Sequence, residues 1–171
     1  MESLALLLAA PLNAGTVLAI AGLGLLLNER AGIVNLGAEG IMLCAAIAGF
    51  ATVVHSGSDW LGFAAGIGAG ALIALVCGLL VIWPNGNQYA TGLAVSLFGA
   101  GFSAFAGIAY VQEKIPERPN FAIPWLGDIP LLGPALFRHH PMVYLTVVFA
   151  IALIWWLGRS RAGLVLRSVG E

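Results

Sequence analysis

The sequence predicts an all-α, polytopic transmembrane helix bundle of about five spans, with a bent or broken helix junction near residues 28–40. Three observations carry this. The chain of 171 residues is 60% hydrophobic and only 9% charged, whereas soluble domains carry about 25% charged residues. Its apolar runs are continuous over about 20 residues, the length that crosses a bilayer as a helix. They do not alternate at period two, which removes the β-barrel alternative. The net charge of −1 supplies no bulk field for nucleic acid.

The elements follow in order. Residues 4–27 form the first run, with Pro11 and Asn13 in its first third. Glu2 follows Met1 and no Lys or Arg precedes Arg30, so the run reads as a retained membrane helix and not as a cleavable signal. Residues 36–54 form the second run and contain Glu39. A polar turn at 55–59 leads to the third, 60–83, with Trp60 and Trp83 at its ends as interfacial anchors. Gly62, Gly66 and Gly70 make a small-residue row along it, read as a helix-packing face. Residues 84–88 turn into the fourth run, 89–110. A long connection, 112–140, holds five of the eight prolines. The fifth run is 141–157, and 158–171 is a basic tail. All of this is one membrane domain.

Orientation follows the cation bias. Arg159, Arg161 and Arg167 follow the fifth run closely, which puts that end in the cytoplasm. Counting back makes 112–140 extracytoplasmic and 84–88 cytoplasmic. Residues 28–35 then fall on the cytoplasmic side, or part-way into the membrane if a helix is broken there.

The polar positions carry the functional question. A carboxylate such as Glu39 at the start of an apolar run is expensive in hydrocarbon, by a few kcal/mol or more, unless it faces protein or water. It reads as part of a polar pathway lining, as an ion pair with Arg30, or as a charge favoured at the N-terminus of the next helix. Asn35 precedes it by four residues, so a helix through both would put them on one face with Gly32. Asn85, Asn87, Gln88 and Thr91 cluster where the fourth run begins. Asn-Gly at 85–86 reads as a turn, while Gln88 and Thr91 read equally as lining or as local structure. His139 and His140 are adjacent, cannot face each other on a helix, and read as loop residues. Trp155 and Trp156 suit the interface at the basic end. Cys44 and Cys77 lie in apolar runs without metal-ligand spacing and read as buried bystanders. Nothing calls for a metal or a cofactor, and no nucleophile–base constellation or phosphate-binding glycine loop is present.

Two separated segments resemble one family. Glu29-Arg-Ala-Gly-Ile-Val-Asn-Leu-Gly-Ala-Glu-Gly-Ile-Met-Leu43 is similar to the signature of permease subunits of bacterial ABC importers for nucleosides and simple sugars, relatives of the ribose and branched-chain amino acid permeases. Ser160-Arg-Ala-Gly-Leu-Val-Leu-Arg-Ser-Val-Gly-Glu171 resembles the start of that family's cytoplasmic coupling loop. Asn87-Gln-Tyr-Ala-Thr-Gly92 and Pro130-Leu-Leu-Gly-Pro-Ala-Leu-Phe137 fit the same pattern, in order along the chain. The resemblance implies a type II importer permease in a bacterial inner membrane, multi-pass and surrounded by lipid. Its partners would be a second permease subunit, a cytoplasmic ATP-binding subunit that hydrolyses ATP, and an extracytoplasmic substrate-binding lipoprotein. The permease itself would not be an enzyme. Asn35, Glu39, Gln88 and Thr91 match polar membrane positions and become pathway candidates. Arg161, Gly163, Arg167, Gly170 and Glu171 match the coupling loop and become candidates for the ATPase contact.

Against the family pattern the chain is expected to be partial. It lacks a hydrophobic segment ahead of Leu4, and its coupling loop stops where further spans should follow. The rival readings are an intramembrane enzyme built on Glu39 and a truncated scaffold that transports nothing.

Overall fold

The computed structural model describes residues 2–83, 86–115, 121–122 and 138–170; side chains are described from Pro11 onward, apart from residues 12, 13, 121, 122, 138 and 139. The motif at 130–137, Asn85 and Glu171 lie outside the described residues, as does most of the long connection. Among the described residues there are six helices: α1 Glu2–Arg30, α2 Ala38–Ser56, α3 Asp59–Ile82, α4 Gln88–Gly107, α5 Pro141–Arg159 and α6 Arg161–Gly170. A 3-10 turn, Ile108–Tyr110, extends α4. Phe121–Ala122 and Arg138–His139 pair antiparallel over two residues, with Phe121 opposite His139.

Among the described residues, four helices, α2, α3, α4 with its 3-10 turn, and α5, are long and apolar enough to cross a membrane. At 1.5 Å per residue the 19 residues of α2 span about 28 Å, close to the hydrocarbon thickness of about 30 Å. Many of their large apolar side chains point outward. Leu72, Leu75, Leu97, Phe105, Ile151 and Ile154 are all well exposed, and a soluble surface would not carry such a continuous apolar cover. The contacts of α2 with α3 and α4 are built from small residues instead, which lets helices approach closely in lipid.

The chain divides into two compact units, Ile33–Pro116 and Met1–Gly32 with Glu117–Glu171. In the first unit α2 packs against both α3 and α4. The glycine row of α3 packs on α2: a Cβ on Gly66 would lie 3.1 Å from the Ala45 carbonyl oxygen, and one on Gly70 would touch Ala45 and Ile41. Gly62 is closer still, against Gly49 and Val53. On the other side of α2, Gly40 and Gly99 bring the α2 and α4 backbones into direct contact. Cys44, 1% exposed, and Val95 fill the space beside them. Gly57, at φ +66°, ends α2 by donating its N–H to Val53 at 2.8 Å, the left-handed cap that glycine adopts without a Cβ penalty.

In the second unit α1 runs without interruption through Pro11. It packs on α5, and α6 packs on both. Leu153 and Leu157 are buried, as is Thr146, which donates its hydroxyl to the Met142 carbonyl one turn back at 2.8 Å. His140 sits at the N-cap of α5, its Nδ1 accepting the Met142 N–H, with Pro141 at the first helical position. A free first-turn N–H group explains the acceptor, and proline needs none there.

Candidate functional site

The break between α1 and α2 occupies residues 31–37. It begins where Gly32 takes φ +74°, a backbone that ends a helix and favours glycine. Ala31 and Gly32 close the last turn of α1 by donating to Leu27 and Glu29. Residues 33–35 then run non-helically. Asn35 turns its Oδ1 back to accept the Gly37 N–H at 3.0 Å, an Asx turn that starts α2.

This corrects one expectation. Asn35 and Glu39 do not share a helical face, because Asn35 precedes the helix and its side chain is committed to the turn. Glu39 lies in the first turn of α2, exposed, where the helix N-terminus favours a carboxylate. No described side chain of residues 33–116 bonds to it.

α4 holds the freed segment from the side. Gln88 Oε1 accepts the Val34 N–H at 3.2 Å, and Ser96 donates its hydroxyl to the Leu36 carbonyl at 2.7 Å. Gly92 permits this approach: a Cβ there would lie about 3.0 Å from Gly37 N and Leu36 Cβ. Two of the exposed backbone groups are thus satisfied by side chains 54 and 60 residues away, the support that non-helical backbone needs where water is scarce. Asn87 caps α4 through Oδ1, which accepts from Tyr89 at 2.9 Å and Ala90 at 3.3 Å. Thr91 follows one turn later, half-buried beside the turn at Gly86. The structure therefore brings Asn35 and Gln88 to one segment with Glu39 and Thr91 a turn away. Their amide oxygens are used internally, and the Asn35 Nδ2 and Gln88 Nε2 groups donate to no described residue. Ser96 was missed in the sequence, since a serine in an apolar run carries no local sign of a partner 60 residues back.

The coupling-loop candidates form a second group. The break between α5 and α6 is at Ser160, extended at φ −85°, ψ 149°. Its hydroxyl accepts the Gly163 N–H at 2.9 Å, a serine N-cap that starts the new helix. Gly163 is buried, with no room for a Cβ against Trp156 and Leu157. Arg167 donates through Nη2 to the Leu157 carbonyl near the end of α5. Gly170 lies against Arg30 and Gly32 at the end of α1. These three candidates are thus turned inward, fastening α6 to its own chain, whereas Arg161 is exposed beside Leu164, Val165 and Val169. A cavity of about 350 Å³ lies among Leu26, Glu29, Arg30, Arg167 and Gly170.

Comparison with known proteins supplies the family. Residues 7–171 match the family described as the permease component of branched-chain amino acid transport systems. The chain is 42% identical over 170 residues to TsgC13 of Haloferax volcanii, an ABC transporter permease protein whose name assigns it glucose provisionally; the match covers 96% of this chain and 51% of that one. It is 34% identical to the guanosine ABC transporter permease protein NupQ of Bacillus subtilis, over all of this chain and 57% of that one. It is 29% identical, with the same coverage, to the nucleoside ABC transporter permease protein NupC of Lactococcus lactis subsp. cremoris. The chain spans about half the length of these curated relatives. No solved structure matches. A match over nearly the whole chain, on a helical membrane architecture, means that this chain belongs to the ABC transporter permease family of branched-chain amino acid transport permease components.

Proposed function

We propose that this chain is part of a permease subunit of an ATP-driven importer for a nucleoside or a simple sugar, in the cell's inner membrane. An extracytoplasmic lipoprotein delivers the solute, a second permease subunit completes the pathway, and a cytoplasmic ATP-binding subunit supplies the energy. The observation that carries this reading is the broken segment at 31–37, held by α4 through Gln88 and Ser96. Irregular backbone of this kind belongs where a helix lines a polar path. Asn35, Glu39, Gln88 and Thr91 are the path's candidate lining. The amide N–H groups of Asn35 and Gln88, which donate to no described residue of 33–116, suit hydroxyl, carbonyl and ring-nitrogen acceptors, the groups that nucleosides and sugars share. Arg161, Gly163, Arg167, Gly170 and Glu171 belong to the region that meets the ATP-binding subunit, with Arg161 as the direct contact and the inward residues as its support.

The enzyme reading is the weaker one. Within its unit Glu39 has His55 as the available base, and the two stand at opposite ends of α2, about 24 Å apart along the helix. General acid–base work needs hydrogen-bond reach. The experiment is purification of the complete permease from native membranes under mild detergent. An ATP-binding subunit, a second permease and a lipoprotein co-purify in fixed ratio; recovery without any ATP-binding subunit contradicts the reading.

A further inference from the structure

We propose that Gly32 and Gly170 are positioning residues that pass a displacement of α6 to the end of α1. This rests on the reading of the chain as a permease driven at its coupling loop, and it adds the point of transmission. The contact is tight from both sides. A Cβ on Gly32 would lie 3.1 Å from Gly170 Cα, and one on Gly170 would lie 2.8 Å from Gly32 N and closer still to the Arg30 carbonyl oxygen. Backbone therefore meets backbone, with no side chain between to yield.

The other fastenings of α6 act as its pivot. Ser160 caps its first turn, Gly163 seats it on Trp156 and Leu157, and Arg167 holds the Leu157 carbonyl. All three tie α6 to the end of α5. Gly170, its last residue, reaches α1 instead. A push on the exposed face of α6, at Arg161, Leu164 or Val165, thus turns the helix about the α5 end and moves the backbone at Gly32. The next residue in the chain is Ile33, which opens the segment that Gln88 and Ser96 hold through Val34 and Leu36. Covalent continuity carries the displacement from Gly32 into the candidate pathway lining. Gly32, at φ +74°, is a place where small changes of backbone angle are cheap.

The test uses the complete permease with its ATP-binding subunit and binding protein in proteoliposomes. Uptake of labelled guanosine and glucose is measured together with ATP hydrolysis. Gly170→Ala should lower solute moved per ATP hydrolysed by about tenfold, within the range of ordinary coupling between sites. Gly68→Ala, whose Cβ meets nothing within 4 Å, should leave the ratio unchanged. Gly32→Ala should also lower it, and the double variant should be no worse than the worse single one, since both act at one contact. Losses that multiply, or a normal ratio in Gly170→Ala, overturn the proposal. If the Gly170 variant fails to reach the membrane, hydrogen exchange of the wild-type complex decides. Trapping the ATP-binding subunit with vanadate should change the protection of the Ala31 and Gly32 amides, which bond to Leu27 and Glu29; unchanged protection overturns the proposal. Wild-type permease that recruits no ATP-binding subunit refutes the underlying reading. Normal recruitment and hydrolysis with normal coupling in the variants refutes this inference alone.

Discussion

Gly99→Ala should open the α2–α4 pair. A Cβ on Gly99 would meet the Cα, carbonyl carbon and carbonyl oxygen of Gly40, all inside contact distance. Overpacking costs about 1–3 kcal/mol where side chains can adjust. Here the obstacle is backbone, so the upper end applies, about 3 kcal/mol, or a factor of about 150 in the closed-to-open ratio. Cys44 reports on this directly: it is 1% exposed, and its Sγ lies 4.0 Å from the Gly99 carbonyl oxygen. With Cys44 as the sole cysteine of the complete permease, its rate of labelling by a maleimide measures how often the pair opens. Gly99→Ala should raise that rate by about 100-fold. Gly101→Ala, on the same helix with nothing within 4 Å of its Cβ, should not raise it, since alanine favours a helix over glycine by about 1 kcal/mol. Equal labelling rates in the two variants would refute the claim that backbone contact at Gly40 and Gly99 holds this unit together.

Other variants test the ends of the helices. Ser160→Ala removes the acceptor for the Gly163 N–H and should cost α6 about 1 kcal/mol, seen as faster hydrogen exchange over residues 161–166. Arg167→Glu loses the bond to the Leu157 carbonyl and should lower co-purification of the ATP-binding subunit while membrane insertion stays normal; unchanged co-purification would remove Arg167 from the coupling region. Gln88→Ala strips the Val34 N–H of its acceptor, and the orphaned group should cost about 1–3 kcal/mol, with faster exchange at Val34 and impaired uptake.

Much of the fold was legible because its signals are local. Continuous apolar runs and the Gly62–Gly66–Gly70 row each announce themselves within one segment, and the row packs on α2 as its spacing implies. The segment at 28–40 stood out because a polar sequence interrupts apolar ones. Its internal arrangement did not, because the Asx turn at Asn35 stops the helix that would have aligned Asn35 with Glu39. The supports from Gln88 and Ser96 come from far along the chain, and nothing near Val34 or Leu36 signals them. At the other end, the basic tail supplied the candidates for the ATPase contact through its resemblance to a coupling loop. Gly163, Arg167 and Gly170 turn inward, while Arg161 stays exposed, because Ser160 redirects the chain into a separate helix, a consequence of one residue's backbone angles and its hydroxyl.

The central claim is ATP-driven transport of a nucleoside or sugar, and reconstituted uptake tests it most directly. The complete permease, its ATP-binding subunit and its binding protein are placed in vesicles and offered labelled guanosine and glucose. The account predicts accumulation of one of these against a gradient, only with ATP and only with all three components present. Accumulation of neither, or equal uptake without ATP, would contradict it.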